Sequence, residues 1–232
     1  MENHIDKQDN RSRILTIKIR FYERGIKMHT LIVYCHPYPG SFAHAELEAI
    51  CRKLEREEHD YKVIDLYEEG FNPVLSKEEL KVYFKGDFIV PMVERYQKML
   101  LEAEHLILIF PIWWSDVPAM LKGWIDKVML AGSTWTLNEE GRLIGKLSNI
   151  KDLEVYTTSA SPTKDTIEDC GNAIRACLID GTMWQLNIGG RLEAGEKDLG
   201  DAAVWYNYGE VGEDNLEKHK AYLRKLEGLS EN

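Results

Sequence analysis

Three short stretches of this sequence put chemistry-bearing residues at a break in apolar patterning. HPYPGSF (His36–Phe42) follows an apolar run and precedes a helical one. Gly40 lets the backbone turn, Ser41 can cap a helix, and the first free N–H groups of that helix offer a site for a phosphate. His36 adds a ring nitrogen. FPIWWSDVPAMLKGWIDKV (Phe110–Val128) sets Pro111, Ile112, Trp113, Trp114 and Ser115 between an apolar run and a helix. Two adjacent indoles at a turn present a flat apolar surface, which suits a flat partner. TTSASPT (Thr157–Thr163) supplies hydroxyls and small residues that allow close backbone approach.

Other chemistries find no support. No G-x-G-x-x-G follows a strand pattern, and GRLIGKL (Gly141–Leu147) lacks the spacing and the Ser/Thr of a P-loop. There is no G-x-S-x-G elbow. His and carboxylate residues show no metal-ligand spacing, so no metal site is expected. No side chain stands out as an acid–base catalyst.

The elements that must position the three stretches can be read from periodicity. Nearly continuous apolar runs at His29–Cys35, Tyr61–Tyr67, His105–Phe110, Asp152–Thr158 and Ala203–Gly209 predict five strands, several buried on both faces. Between them, 3.6-residue spacing predicts helices from Ser41 to about Glu58, from Ser76, over Met92–Ala103, from an Asp116 cap through Val128, over Ile167–Ile179 and over Asp214–Leu226. Strict alternation makes an α/β fold: a flavodoxin-like, doubly wound, five-stranded parallel sheet of order 2-1-3-4-5 with helices on both faces. Ligands of such sheets bind beyond the carboxyl ends of the strands at the switch point. All three stretches fall there. An anion site beside two loops suited to a flat ring describes a flavin mononucleotide unit.

Composition agrees with one domain over residues 29–232. The chain has 232 residues, 44% of them hydrophobic, and a formal charge of −10. That balance disfavours a nucleic-acid footprint, which needs a basic patch. No run approaches the roughly 18 apolar residues of a membrane span, so no membrane insertion and a cytoplasmic location are expected. Cys35, Cys51, Cys170 and Cys177 form no Cys-x-x-Cys pair and read as reduced, buried thiols. Residues 1–28 read as a poorly ordered extension, although Ile14–Tyr22 alternates like a strand. Trp124, Trp135, Trp184 and Trp205 read as core or interface residues.

YCHPYPGSFAHA, the central F-P-x-x-W-x-x-x-P-A-x-L-K-G-W-x-D-x-V block and the TTSAS segment together resemble the flavodoxin-like NAD(P)H:quinone oxidoreductases. That family includes DT-diaphorase, modulator of drug activity B and the potassium-efflux ancillary oxidoreductases. The resemblance spans His29 to Gly209. It implies a bound FAD or FMN, NAD(P)H as electron donor, quinone-like acceptors and a homodimer with the site at the subunit interface. It places His36, Ser41 and Phe42 at the flavin phosphates. Pro111, Ile112, Trp113, Trp114 and Ser115 would line the isoalloxazine ring, and Thr157, Thr158, Ser159 and Ala160 its pyrimidine end. It implies ping-pong hydride transfer through flavin N5. The alternatives are a regulatory subunit of a potassium-efflux system and a flavodoxin-type electron carrier. The chain departs from the family where T-T-G-G or T-T-G-A gives way to Thr157-Thr158-Ser159-Ala160, and where the family's Tyr and His beyond that loop have no clear counterpart.

Overall fold

Side chains alternate across a strand, so a strand covered on both faces must be apolar at every position. In the computed structural model, which describes residues 29–212 and 216–229, the first and third strands follow this rule over most of their length. β1 (His29–Tyr34) sends Leu31 and Val33 to one face and Ile32 and Tyr34 to the other. β3 (His105–Pro111) is buried along its whole length, with Leu106, Leu108 and Phe110 on the first face and Ile107 and Ile109 on the second. β2 (Asp60–Asp65), β6 (Asp152–Thr158) and β7 (Ala203–Tyr208) complete a parallel sheet of order β2-β1-β3-β6-β7. This is the expected 2-1-3-4-5 order with two extra strands counted between the third and fourth. Those two, β4 (Trp135–Leu137) and β5 (Leu143–Gly145), form a small antiparallel hairpin. The stretch read as a failed P-loop is its second arm.

The helices divide between the two faces. α1 (Phe42–Arg56) lays Ala43, Leu47, Ile50 and Leu54 on the second face, and α6 (Leu216–Leu226) packs beside it. α3 (Pro91–Glu102) and α4 (Ala119–Val128) cover the first face, where Trp124 is wholly buried, as expected of a core indole. Trp135 is buried, and Trp184 and Trp205 pack against the same core. α2 (Lys77–Tyr83) starts on the expected capping box of Ser76 and Glu79 but buries none of its side chains.

Four expectations need correction. α4 does not start on an Asp116 cap. Asp116 still pairs with Trp113 through both backbone groups, so the helix waits until Pro118. The helix expected over Ile167–Ile179 is two pieces. α5 (Thr163–Glu168) ends before Gly171 and Asn172, both at positive φ, and a π-helix runs from Ile174 to Met183. Its wider turn is matched by pairs five residues apart. Arg175 donates to Asp180 at 2.7 Å, and the Thr182 hydroxyl donates to the Cys177 carbonyl at 3.1 Å. Third, Cys35 is buried but Cys170 and Cys177 are exposed, because they lie on this irregular outer segment. Fourth, strand two stops at Asp65, whose carboxylate accepts the N–H groups of Tyr67 and Glu68 and turns the chain. The expectations for residues 1–28 lie outside the described residues. No helix among the described residues is long and apolar enough to cross a membrane.

Candidate functional site

The switch point lies between β1 and β3, and three loops meet beyond the strand ends there. The ring of His36 meets the edge of Trp113, 6.1 Å between centroids, joining the first loop to the second. The Ile112 N–H donates to the Thr158 carbonyl at 2.8 Å, and Pro111 is in register with Thr158, joining the second to the third.

The first loop turns on Ser41, the N-cap of the 15-residue α1. Its hydroxyl oxygen accepts the His44 N–H at 3.1 Å, which leaves the N–H groups of Phe42 and Ala43 without intrahelical partners. With the helix dipole behind them, these two amides could hold an anion. None of the three loops carries Lys or Arg, so an anion there would meet neutral donors and the helix dipole only. His36 Nδ1 accepts the Tyr38 N–H at 3.0 Å, and burial lowers the His36 pKa. The neutral ring therefore carries its proton on Nε2, where it can donate. Phe42 contributes through its backbone. Its ring is taken up by Tyr208, His219 and Tyr222 at 4.4, 4.8 and 5.9 Å.

The second loop is a tight two-residue turn. Trp113 and Asp116 exchange both backbone hydrogen bonds, and the residues between them, Trp114 and Ser115, have φ of 53° and 62°. Two positive φ values define a type I′ turn, which ordinarily takes Asn-Gly. Here it carries an indole instead. Trp113 is 42% exposed and Trp114 completely so. The turn thus holds two flat apolar rings out of the core at a cost in backbone strain.

The third loop presents different groups from those the sequence suggested. Thr157, Thr158 and Ser159 are buried, and Ala160, Ser161 and Pro162 are exposed. The hydroxyls of Thr157 and Ser159 are bonded to β7 rather than directed outward. Trp205 and Asn207 of β7 were not recognised as parts of this site. The one signal available was an Asn, a poor strand former, inside AVWYNYG.

The residues brought together fit a flavin: a paired amide donor for phosphate, flat apolar rings at one loop and tight backbone at the other. A doubly wound sheet with this site defines a class of nucleotide-binding proteins, and the comparisons narrow it. Residues 28–181 match the family described as having a flavodoxin-like fold, and the chain belongs to that family. It is 34% identical over 162 residues to an uncharacterized NAD(P)H oxidoreductase of Haemophilus influenzae, covering 66% of this chain and 76% of that one. It is 31% identical over 122 residues to NAD(P)H dehydrogenase [quinone] 1 of Cavia porcellus, covering 46% of this chain and 44% of that one. Among solved structures, the NAD(P)H:quinone oxidoreductase from Methanothermobacter marburgensis superposes with a TM-score of 0.70 at 26% identity, over 88% of this chain and 97% of that one.

Proposed function

We propose that the chain is a flavin-dependent NAD(P)H:quinone oxidoreductase, working by a ping-pong cycle on quinones or similarly flat electrophiles. The observation that carries this reading is the meeting of the α1 amide pair with the rings of the Trp113–Asp116 turn. Relatives named NAD(P)H oxidoreductase and NAD(P)H dehydrogenase [quinone] support an oxidoreductase drawing on NAD(P)H. A flavin, FAD or FMN, supplies two-electron transfer between nicotinamide and acceptor when bound.

The chain's own residues bind and orient. The N–H groups of Phe42 and Ala43, with Ser41 Oγ and His36 Nε2–H, would hold the phosphate. Pro111, Ile112, Trp113, Trp114 and Ser115 would line the ring, and the backbone of Thr157, Thr158, Ser159 and Ala160 its pyrimidine end. The exposed rings stack flat partners and exclude water from one face. The exposed side chains of Val74, Leu80, Phe84, Phe88 and Ile89, on and around α2, form an apolar surface that a second copy covers in a homodimer.

The test is an absorbance spectrum of the purified chain from about 300 to 550 nm, the range of flavin bands, repeated after anaerobic NADPH and then menadione. Bands that bleach with the nucleotide and return with the quinone are the expected result. Flavin that binds and stays oxidised with both NADH and NADPH would favour a carrier or regulatory role. Failure to bind FMN or FAD overturns the reading.

A further inference from the structure

β7 lies outside residues 28–181 and outside every motif quoted above, yet its exit holds the third loop by a chain of directed hydrogen bonds. Trp205 Nε1–H donates to Thr157 Oγ1 at 2.8 Å, and that hydroxyl donates to Asn207 Oδ1 at 2.8 Å. Asn207 Nδ2 donates one hydrogen to Ser159 Oγ at 3.0 Å and the other to Thr163 Oγ1 at 2.9 Å. Each of those hydroxyls passes its own hydrogen to a carbonyl, Ser159 to Ser161 at 2.8 Å and Thr163 to Asn207 at 3.3 Å. The Asn207 amide thus spends both donors and its acceptor on the start, middle and end of one loop.

The backbone repeats the clamp. The Ser159 N–H donates to the Tyr208 carbonyl at 3.0 Å, and the N–H groups of Glu210 and Val211 donate to Ser161 and Ser159 at 3.2 and 3.1 Å. Gly209 sits so close that a Cβ there would fall 2.6 Å from the Thr163 nitrogen. Only an amide side chain offers two donors and an acceptor at one position. Asp would place an oxygen where two hydroxyls now receive hydrogens. Those hydroxyls would have to turn round, withdrawing their hydrogen bonds from the carbonyls of Ser161 and Asn207 and leaving a charge half-buried.

We infer that Asn207 is a positioning residue that fixes the Thr157–Thr163 loop in the conformation that receives the cofactor's ring, with Trp205 setting the direction of the chain. The inference rests on the flavin reading. It assigns control of cofactor affinity and potential to side chains of β7 that act through the loop.

The test compares Asn207→Ala, Asn207→Asp and Trp205→Phe with Asn149→Ala in the full chain. Asn149 is an equally structural Asn at the opposite, amino end of the strands, where its amide donates to the carbonyls of Leu100, Leu101 and Ala103. Hydrogen exchange in flavin-free protein reads the loop directly. The Asn207 variants should speed exchange across residues 158–163, and Asn149→Ala should not. With flavin, Asn207→Ala should weaken binding about tenfold, the size expected for losing a shared set of buried hydrogen bonds. Asn207→Asp should also move the flavin midpoint potential to more negative values, and Trp205→Phe should give the smaller loss in affinity. Faster loop exchange with unchanged affinity and potential overturns the inference, as does a loop that exchanges alike in Asn207→Ala and Asn149→Ala. A wild-type chain that binds neither FMN nor FAD overturns the flavin reading instead, and the exchange comparison still decides whether Asn207 holds the loop.

Discussion

Trp113 and Asp116 face each other across a two-residue turn, the N–H of each donating to the carbonyl of the other at 3.1 and 3.2 Å. The pair forces Trp114 and Ser115 to positive φ, at about 1–2 kcal/mol per residue with a Cβ. Replacing the two by Asn-Gly should relieve that strain. The double variant should melt at a higher temperature, by the equivalent of about 1 kcal/mol after the entropy of Gly is deducted. It should also bind flat ligands more weakly, because Trp114 is gone. Calorimetry and a flavin or quinone titration check both halves. A variant that binds as tightly as wild type removes Trp114 from the site.

Acid sensitivity should come from the other end of the sheet. Glu154 lies at the start of β6, 3.5 Å from His105 at the start of β3, and accepts the Tyr156 hydroxyl. Burial would raise the Glu154 pKa, but the hydrogen bond and charge of His105 outweigh it and hold the pKa at about 2. A folded value below the ordinary 4.5 means stability that is full above 4.5 and is lost as pH falls toward 2. The loss is at most about 3 kcal/mol. Urea unfolding at a series of pH values should show this slope, and Glu154→Gln should flatten it.

Glu46 should act in the opposite sense. It is fully buried on α1. Burial raises its pKa well above 4.5, and the neighbouring Tyr222 hydroxyl offsets that only in part. The folded state therefore holds a proton that the unfolded chain releases, so stability falls as pH rises from 4.5 toward the folded value. Glu46→Met should stabilise the chain above that window and give progressively less benefit toward pH 4.5. A benefit independent of pH would show that the carboxyl titrates alike in the folded and the unfolded chain.

The proposed homodimer should break at a single ring. Phe84 is 70% exposed, so Phe84→Glu should leave monomer stability within about 0.5 kcal/mol. Sedimentation should then show a dimer for the wild type and a monomer for the variant. A dimer that survives places the interface on another face.

What the sequence made legible was what repeats. The unbroken apolar runs of β1 and β3 announced strands covered on both faces, and their alternation with amphipathic helices fixed strand order. The Ser76–Glu79 box was visible because a cap is local chemistry. Hidden features depended on partners far along the chain. Nothing in Trp-Ser marks a type I′ turn, because that turn is imposed by Trp113 and Asp116 and not by the residues within it. Ile174, Leu178 and Ile179 satisfy the α and π periods alike; the Arg175–Asp180 and Thr182–Cys177 pairs, seen in three dimensions, tell them apart. The hydroxyls of Thr157 and Ser159 looked available to a ligand. Their true partner, Asn207, sits some 50 residues on, in the neighbouring strand.

The same parallel strands separate two properties that are entangled in many proteins. The carboxyl ends of β1, β3 and β6 carry the ligand loops, and their amino ends carry Thr30, His105 and Glu154. A protein engineer therefore has two independent dials. Acid tolerance can be edited at one rim of the sheet, and ligand preference at the other.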